Sequence, residues 1–382
     1  SWDAILRRGV HRLLISLLFP FAMPVLVFAM PPAQLVARLH VPSGFAVTLY
    51  ADGVANARAM AWGDRGTLFV GSFAAGKVYA LRDDNHDGRA DSVRVIASGL
   101  RVPLGVAFRD GALYVSAIDR ILRYDAIESK LDAPPPPVVV ANDLPRDAHH
   151  GGRYLAFGPD GKLYVPIGAP CNVCDRPGYA KLTRMAVGDQ GRGGVREDVA
   201  LGIRNTVGFA WNPQTRHLWF TDNGRDLLGD DVPGDELNVV TGPKQHFGFP
   251  YCHQGDVLDP DFGKGKSCRD YTPPAAKLGA HVASLGIAFY TGTMFPAAYR
   301  NNAFIAEHGS WNRSSKSGYR VVRVEIDGDR VSRITPFLTG FLDGQDTLGR
   351  PVAVTVAPDG ALLVSDDFQG AIYRIAYGGG SR

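Results

Sequence analysis

The sequence lacks an excess of charge of either sign. Its 41 Lys and Arg residues nearly balance 38 Asp and Glu residues over 382 positions, which leaves a net charge of +3. A charge this small and this evenly spread argues against nucleic acid as a partner. The chain also lacks a GxGxxG turn after a predicted strand, which argues against a nicotinamide cofactor in a dinucleotide-binding fold.

Glycine is abundant, but its excess comes without a collagen period or a low-complexity run. The 45 Gly residues make up about 12% of the chain, against an average of about 7% in proteins. The hydrophobic fraction of 45% and the charged fraction of 21% exclude wholesale disorder. The length allows two or three domains, or one large all-β domain of repeated units. The glycine excess favours a fold with many tight turns.

The first thirty residues differ from the rest of the chain. Arg7 and Arg8 precede an apolar run from Leu13 to Met30, which is typical of a secretory signal that could be cleaved after Ala29. A retained membrane anchor is the alternative, because a run of this length is just sufficient to cross a bilayer. Residues 1–30 are therefore predicted to be a signal peptide or an anchor. The protein is expected to be periplasmic or secreted, with attachment to the inner membrane if the segment is retained.

Cysteine is scarce, with four residues in the whole chain. An even number in an exported protein predicts disulfide bonds, for which three pairings are formally available. Proximity in sequence favours Cys171–Cys174 and Cys252–Cys268. A zinc site built from all four cysteines is the alternative. Asp175 stands where attachment of a c-type haem would require His.

One phrase recurs six times along the chain: a short apolar strand, a polar turn with Gly, and a strand with a Leu or aromatic core. The second strands are marked by Leu68, Leu113, Leu163, Leu218, Phe304 and Leu362. These residues are 45, 50, 55, 86 and 58 positions apart, and the base interval fits a propeller blade of about 40–50 residues. The long interval is explained by a cysteine-bearing insertion around 241–280. The sequence thus predicts an all-β fold, a single six-bladed β-propeller over 31–382.

The last repeat has only three strands of its own. After its hairpin, Ala371–Tyr377 is the final strand that the sequence offers. Phe45–Tyr50 from the N-terminal side is expected to supply the fourth, which would close the ring and remove its exposed edge. A pair of β-sandwiches is the alternative fold, but it would not produce six copies of one phrase.

Polar residues are predicted to gather at one mouth of the ring, because residues before the innermost strand of a blade and residues after its second strand emerge on the same face. The first group comprises Arg58, His149, His150, Arg204, Asn205, His281 and Arg350. The second group comprises 222–225, 307–313 and 366–367. Several arginines and histidines at one mouth predict a site for a ligand with several carboxylates or phosphates. Pairing of these arginines with nearby carboxylates is the structural alternative.

Individual residues of this mouth suggest chemical roles. His149 or His150 could act as general base, with Gly151 and Gly152 allowing close approach of a ligand. Arg204 could stabilise developing negative charge, or it could form an ion pair with Asp198 or Glu197. Trp311 offers a flat surface, and backbone oxygens of the Asp222–Arg225 turn could hold Ca²⁺.

A second calcium site is predicted in an acidic loop. Asp83, Asn85, Asp87 and Asp91 match the start of a DxNxDG calcium loop, although Arg94 replaces the Glu expected at the twelfth position. A plain hairpin turn is the alternative.

The motifs together resemble the L-sorbosone dehydrogenase family, whose relatives include pyrroloquinoline quinone (PQQ)-dependent soluble glucose dehydrogenases and fungal pyranose dehydrogenases. The resemblance covers nearly the whole chain after about Phe45. The segments that carry it are HHGGRYLAFGPDGKLYVPIG from His149, LGIRN from Leu201, DNGRD from Asp222, DELN from Asp235, HFGFPYC from His246, AEHGSWNR from Ala306 and GRPVAV from Gly349.

This resemblance implies a PQQ enzyme that oxidises a sugar or sugar aldehyde and passes electrons to a quinone or a cytochrome. His149 matches the family's catalytic base, and Arg204 matches the arginine that stabilises the reduced cofactor. Backbone carbonyls of Gly224 and Arg225 match ligands of the Ca²⁺ that binds PQQ. The cofactor itself would be held by Arg58, Asn205, His308, Trp311, Asn312, Arg313 and Arg350.

Two positions depart from the glucose-oxidising relatives. Ala169 replaces a carboxylate that partners the catalytic His, and the region of Pro103 lacks a glutamine. These departures argue against glucose as the substrate and favour the sorbosone branch. A calcium-dependent lactonase is an alternative function, but such a propeller has a cage of Glu, Asn and Asp where this mouth has Arg. A non-enzymatic binding propeller is the third hypothesis, since a fold alone does not imply chemistry.

Overall fold

The computed structural model describes residues 30–188 and 193–378. The predicted signal or anchor at 1–30 lies outside the described residues, except for Met30. Within the described part of the chain, no helix has the length and apolar character needed to span a membrane.

Six sheets, each built on four antiparallel strands, form the blades of the ring, which confirms the six-bladed propeller. Blades one to three contain Ala57–Trp62, Thr67–Ser72, Val78–Arg82 and Ser92–Ala97; Val106–Arg109, Ala112–Ala117, Arg120–Tyr124 and Val138–Ala141; Ala156–Phe157, Leu163–Ile167, Lys181–Met185 and Glu197–Leu201. Blades four to six contain Phe209–Trp211, Leu218–Asp222, Gly234–Val240 and Ala276–Ala280; Ser284–Phe289, Ala303–Glu307, Arg320–Asp327 and Arg330–Leu338; Pro351–Val356, Leu362–Asp366, Ala371–Tyr377 and Phe45–Ala51.

The remaining elements are short and lie between the blade strands. Gln245–His246 adds a parallel fifth strand to blade three. The others are a helix at Pro32–Val36, 3₁₀ turns at Ile127–Ser129, Cys268–Asp270 and Ala297–Tyr299, and hairpins formed by Cys252–His253 with Val257–Leu258 and by Leu342–Asp343 with Asp346–Thr347.

The residues that mark the sequence repeat all lie in the second strand of their blades. Each is between 0 and 4% exposed, so the repeat follows from burial of the same position between neighbouring sheets. Aromatic contacts join adjacent blades, as where Phe69 of blade one stacks on Phe108 of blade two and Trp219 of blade four meets Phe289 of blade five. The hydrophobic core is thus divided among the gaps between blades.

The ring is closed by the N-terminal strand, as predicted. Phe45–Ala51 pairs antiparallel with Ala371–Tyr377, with Phe45 opposite Tyr377. The Phe45 ring also makes edge contacts with Phe295, Tyr299, Phe337 and Tyr377. Strands from both ends of the chain therefore share one sheet and leave blade six with its full set of four.

The cysteines form the two disulfides favoured by proximity, Cys171–Cys174 and Cys252–Cys268. No thiolate is left among them for the zinc site considered above. The second disulfide lies in the segment that separates the third and fourth strands of blade four. The last residues of the stretch 241–280 form that fourth strand, Ala276–Ala280.

Glycine has two uses in this ring. Some glycines form hairpin turns with positive φ, as Gly111 does at +78° between the first strands of blade two. Others allow blades to approach near the channel. A Cβ on Gly105 would lie 1.8 Å from the Arg153 carbonyl oxygen, and one on Gly208 would lie 2.0 Å from the Leu285 carbonyl oxygen. Turn formation therefore explains only part of the glycine excess.

Candidate active site

A cavity of about 340 Å³ opens where the six blades converge. Blades two to six contribute residues that precede their innermost strands, as Arg350 does for blade six, and blade one contributes Arg58 from the start of its innermost strand. The predicted site residues that line it are Arg58, Arg204, Asn205, Gly224, His308, Trp311, Asn312 and Arg350, together with His150. The sequence prediction that these loops meet at one mouth agrees with this arrangement.

Other predicted site residues do not line the cavity. Arg225 directs its guanidinium to the buried Asp259, at 2.7 Å. Arg313 donates to the Asp230 carbonyl and lies 3.4 Å from Asp231, on the outer side of the mouth. His149 is exposed, with its ring centre 4.1 Å from that of His150.

The acidic loop of blade one lies away from the cavity. Carboxylate oxygens of Asp83, Asp87 and Asp91 come within 4.8 Å of one another. Each of these carboxylates also accepts hydrogen bonds from amides of the same loop, and Asn85 donates to Asp87. Both the calcium loop and the plain turn would produce such bonds, so the second calcium site stays a prediction.

Arg204 is held by partners that the sequence did not identify. Its guanidinium lies 3.2 Å from Asp226 and donates to Asn172 at both the carbonyl oxygen, 2.8 Å, and Oδ1, 3.1 Å. The alternative pairing with Asp198 or Glu197 is wrong. Asp198 pairs with Lys181, while Glu197 contacts Lys162 and Arg184, because these side chains lie on the outer strands of blade three.

A second ion-pair network lies on the opposite side of the cavity. Asp367 accepts from Arg58 at 2.8 Å and from His308 Nε2 at 2.7 Å. Burial opposes ionisation of Asp367, but the bond from His308 and the charge of Arg58 lower the pKa of Asp367 to about 2. Burial lowers the pKa of His308 to about 4, so its imidazole is neutral at physiological pH.

Arg350 differs from the other two cavity arginines. It donates to the carbonyls of His308 and Gly309, at 3.1 and 2.8 Å. Among the described residues, no carboxylate lies within 4.0 Å of its guanidinium. Arg58 and Arg204 are paired with Asp367 and Asp226, so the pairing alternative holds for them and not for Arg350.

The Asp222–Arg225 turn presents backbone carbonyl oxygens near the charged side chains of the cavity. Two of its amides are bonded, since Asn223 donates to the Asn205 carbonyl at 3.1 Å and Gly224 donates to Asp235 at 2.9 Å. No described residue donates a hydrogen bond to the carbonyl of Gly224 or Arg225. Below the turn, burial raises the pKa of Asp222 to about 7 and that of Asp235 to about 6, against the effect of backbone hydrogen bonds.

His150 has the environment of a fixed neutral imidazole. Its Nδ1 lies 2.7 Å from the Ala169 carbonyl oxygen, so Nδ1 carries the proton and Nε2 keeps its lone pair. Its φ is +51°, an uncommon conformation for a residue other than glycine. Burial and the charge of Arg204 lower the pKa of His150 to about 3, and the same two causes lower the pKa of His149.

The family described as "Domain of unknown function (DUF7133)" matches residues 31–375 of the sequence. The chain belongs to this DUF7133 family. It is also 34% identical over 362 residues, 90% of this chain and 92% of the relative, to an uncharacterised protein of Borreliella burgdorferi. Aldose sugar dehydrogenase YliI of Escherichia coli is 26% identical over 249 residues, which is 60% of each chain.

Solved structures share the propeller of this DUF7133 protein. A calcium structure of a Trichoderma reesei enzyme of carbohydrate-active family AA12 matches with a TM-score of 0.79 and 20% identity, covering 92% of this chain and 99% of that one. The holo PQQ domain of a pyranose dehydrogenase from Coprinopsis cinerea matches with a TM-score of 0.74 and 19% identity, covering 91% and 98%. At these identities the likeness concerns the fold.

Sequence reasoning assigned no role to several residues in or beside the DUF7133 cavity. Asp226 is the last residue of the DNGRD segment and lines the cavity, while Asn172 lies inside the CxxC pair and contacts Arg204. Phe73 stacks under the Arg58 guanidinium at 4.8 Å. No local pattern distinguished these residues, because their partners are distant in sequence.

Proposed function

We propose that this protein is a PQQ-dependent oxidoreductase that oxidises a sugar or a sugar aldehyde of the sorbosone or aldose type. The observation that carries the proposal is the presence, in one cavity, of the Arg350 guanidinium and the Gly224 carbonyl, which among the described residues have no carboxylate partner and no donor, respectively. The adjoining Arg225 carbonyl also accepts no hydrogen bond from a described residue. An anionic group that also binds a hard cation would satisfy both. The PQQ-containing pyranose dehydrogenase domain with the same fold supports the choice of cofactor.

The cavity residues fit a planar cofactor with several carboxylates. Arg350 would bind one carboxylate, and Arg58 would share its charge between Asp367 and the ligand. The exposed ring of Trp311, which is 73% accessible, would cover one face of the cofactor. Asn205, His308 and Asn312 would contribute hydrogen bonds, and the carbonyls of Gly224 and Arg225 would hold Ca²⁺. Arg313, predicted from the resemblance, is directed to the outer loop and receives no such role.

The chemistry that PQQ supplies when bound is acceptance of a hydride from the substrate carbon. The protein must remove the proton from the substrate hydroxyl, and an imidazole with a free Nε2 is suited to that task. The resemblance assigns the role to His149. Two observations favour His150 over His149: it lines the cavity, and its Nδ1 is fixed by the Ala169 carbonyl. We therefore propose His150 as the base and His149 as its neighbour at the rim.

The carbonyl of Ala169 would orient His150, in place of the carboxylate that partners the catalytic His in the glucose-oxidising relatives. Arg204, 4% exposed and unable to lose its proton, would stabilise negative charge that develops in the cavity. Electrons would leave to a quinone or a small cytochrome. The N-terminal segment supports export to the periplasm or the exterior, with membrane attachment if that segment is retained.

The proposal is tested by purifying the chain, adding PQQ and Ca²⁺, and measuring both cofactor binding and dye reduction with a panel of aldoses and sugar aldehydes. If PQQ binds but no aldose or sugar aldehyde of the panel is oxidised, the proposed substrate class is refuted. If PQQ does not bind, the dehydrogenase proposal is refuted. The protein would then be tested for lactone hydrolysis and for binding of a protein or glycan. His150→Ala should abolish turnover and keep PQQ binding, while His149→Ala should retain a substantial rate. The reverse pattern would restore His149 as the base.

A further inference from the structure

The Cys171–Cys174 disulfide closes a small loop directly beside the candidate active site. The loop follows Leu163–Ile167, the second strand of blade three, and all of its residues are partly exposed. Asn172 is the residue of this loop that contacts the cavity wall. Its side chain and backbone face Arg204 and Asp226, which belong to blade four.

Asn172 makes four hydrogen bonds across this boundary. Its carbonyl oxygen accepts from Arg204 Nε at 2.8 Å, and its Oδ1 accepts from Arg204 Nη2 at 3.1 Å. The same Oδ1 accepts from the Asp226 amide at 2.8 Å, while Nδ2 donates to the Asp226 carbonyl at 3.1 Å. One side chain thus fixes both members of the Arg204–Asp226 ion pair.

These bonds use most of the donors of Arg204. A guanidinium has five N–H groups. Nε and Nη2 are engaged by Asn172 and Asp226, and Nη1 donates one hydrogen to the Asn223 carbonyl at 3.3 Å. Among the described residues, the second N–H of Nη1 has no acceptor. Arg204 therefore offers a ligand one N–H, whose direction is set by the other four.

We infer that Asn172, held in place by the Cys171–Cys174 disulfide, is a positioning residue that fixes the guanidinium of Arg204 for the reaction. The inference rests on the proposed function for the consequence in turnover, and on the contacts of Asn172 for the position of Arg204. A donor that stabilises charge in a reaction must be placed within a fraction of an ångström, and small displacements lower the rate strongly. The disulfide limits the freedom of the loop and hence of Asn172.

The test uses the full chain with PQQ and Ca²⁺ and compares N172A, R204M and the double variant. N172A should lower kcat by about 10–100-fold with a small change in KM, since the interaction matters for developing charge. The double variant should be no slower than R204M, because Asn172 acts through Arg204. The inference would be overturned by an unchanged kcat in N172A. It would also be overturned if the double variant were slower than R204M by the same factor by which N172A is slower than the unmodified protein. Asn142→Ala, an exposed asparagine outside the cavity, is the matched control.

The contribution of the disulfide is tested by C171S/C174S against C252S/C268S. We expect the first variant to reproduce the kcat loss of N172A and the second to keep kcat within about threefold. Equal losses in both would show a general effect of disulfide removal and would overturn this part of the inference.

A structural readout separates failure of the inference from failure of the proposed function. Crystal structures of the unmodified protein and of N172A should differ by more than about 1 Å in the position of the Arg204 guanidinium. An unmoved guanidinium would refute the positioning role even if the enzyme is active. A moved guanidinium in a protein that reduces no dye would leave the positioning role standing and refute the dehydrogenase.

Discussion

Replacement of Arg153 tests whether a single buried side chain holds the histidine-bearing loop. Arg153 is 1% exposed and follows the HHGG segment directly. It donates to the carbonyls of Ile118, Pro166 and Pro145, at 3.1, 3.3 and 3.0 Å. These acceptors lie in blade two, in blade three and at the start of the loop that carries His150. Arg153 therefore ties together the three segments that surround that histidine.

The magnitude follows from these three bonds. A hydrogen bond to a charged group contributes about 1.5–3 kcal/mol, so the loss of three such bonds in Arg153→Met would remove roughly 5 kcal/mol or more of stabilisation. Burial of a guanidinium without a carboxylate costs several kcal/mol, and the same desolvation lowers the pKa of Arg153 to about 10. The Met variant avoids this cost, which offsets part of the stabilisation lost with the three bonds. The net destabilisation should be about 3 kcal/mol. In a chain of this size that corresponds to a fall in Tm of about 4 °C.

The assay is thermal unfolding followed by circular dichroism, together with PQQ-dependent dye reduction. Arg153→Met should lower both Tm and kcat, because the loop with His150 loses its anchors. Arg153→Lys should give an intermediate Tm, since one ammonium group cannot reach three carbonyls at once. Arg300→Met, at an exposed arginine, is the control and should stay within about 0.5 kcal/mol. A Tm for Arg153→Met equal to that of the control would refute the anchoring role.

Three further predictions concern packing and pH. Gly105→Ala should lower Tm by several degrees, because its Cβ would meet the Arg153 carbonyl at 1.8 Å; an unchanged Tm would exclude so close an approach. Phe45→Ala should cost about 2 kcal/mol in urea unfolding through loss of its aromatic contacts at the ring closure, and no loss would show that the strand alone closes the ring. A base with the lowered pKa of His150 loses activity only as pH falls toward 3, so kcat/KM should persist at pH 5. A base with the ordinary pKa of about 6.5 would keep only about 3% of its activity at that pH, which initial rates between pH 4.5 and 7.5 will distinguish.

The architecture was largely predictable because it repeats. Leu68, Leu163 and Leu362 occupy the same buried position in different blades, so periodicity alone identified six sheets. Because the last repeat lacks one strand, the sequence also predicted that Phe45–Tyr50 pairs with Ala371–Tyr377. The approach of neighbouring blades at Gly105 was not predictable, because the clash that requires glycine involves a carbonyl almost fifty positions away.

The site was predictable in composition and less so in its internal contacts. The sequence brought Arg58, Arg204 and Arg350 to one mouth. It could not say that Arg350, alone of the three, has no carboxylate within ion-pair distance among the described residues. Asp198 is nearer to Arg204 in sequence than Asp226, yet its strand carries it to the outside of blade three. His149 and His150 are adjacent, and only the backbone conformation decides which imidazole enters the cavity.

The shared sheet of blade six also has a consequence for biosynthesis. Phe45–Ala51 leaves the ribosome about 320 residues before its partner Ala371–Tyr377, which at roughly 5–20 residues per second is a delay of about 15–60 s. During this interval the strand has an unpaired edge that other nascent chains could join. A polypeptide terminated anywhere before Ala371 would keep that edge permanently. Completion of the last seven-residue strand therefore separates a closed protein from an aggregation-prone fragment.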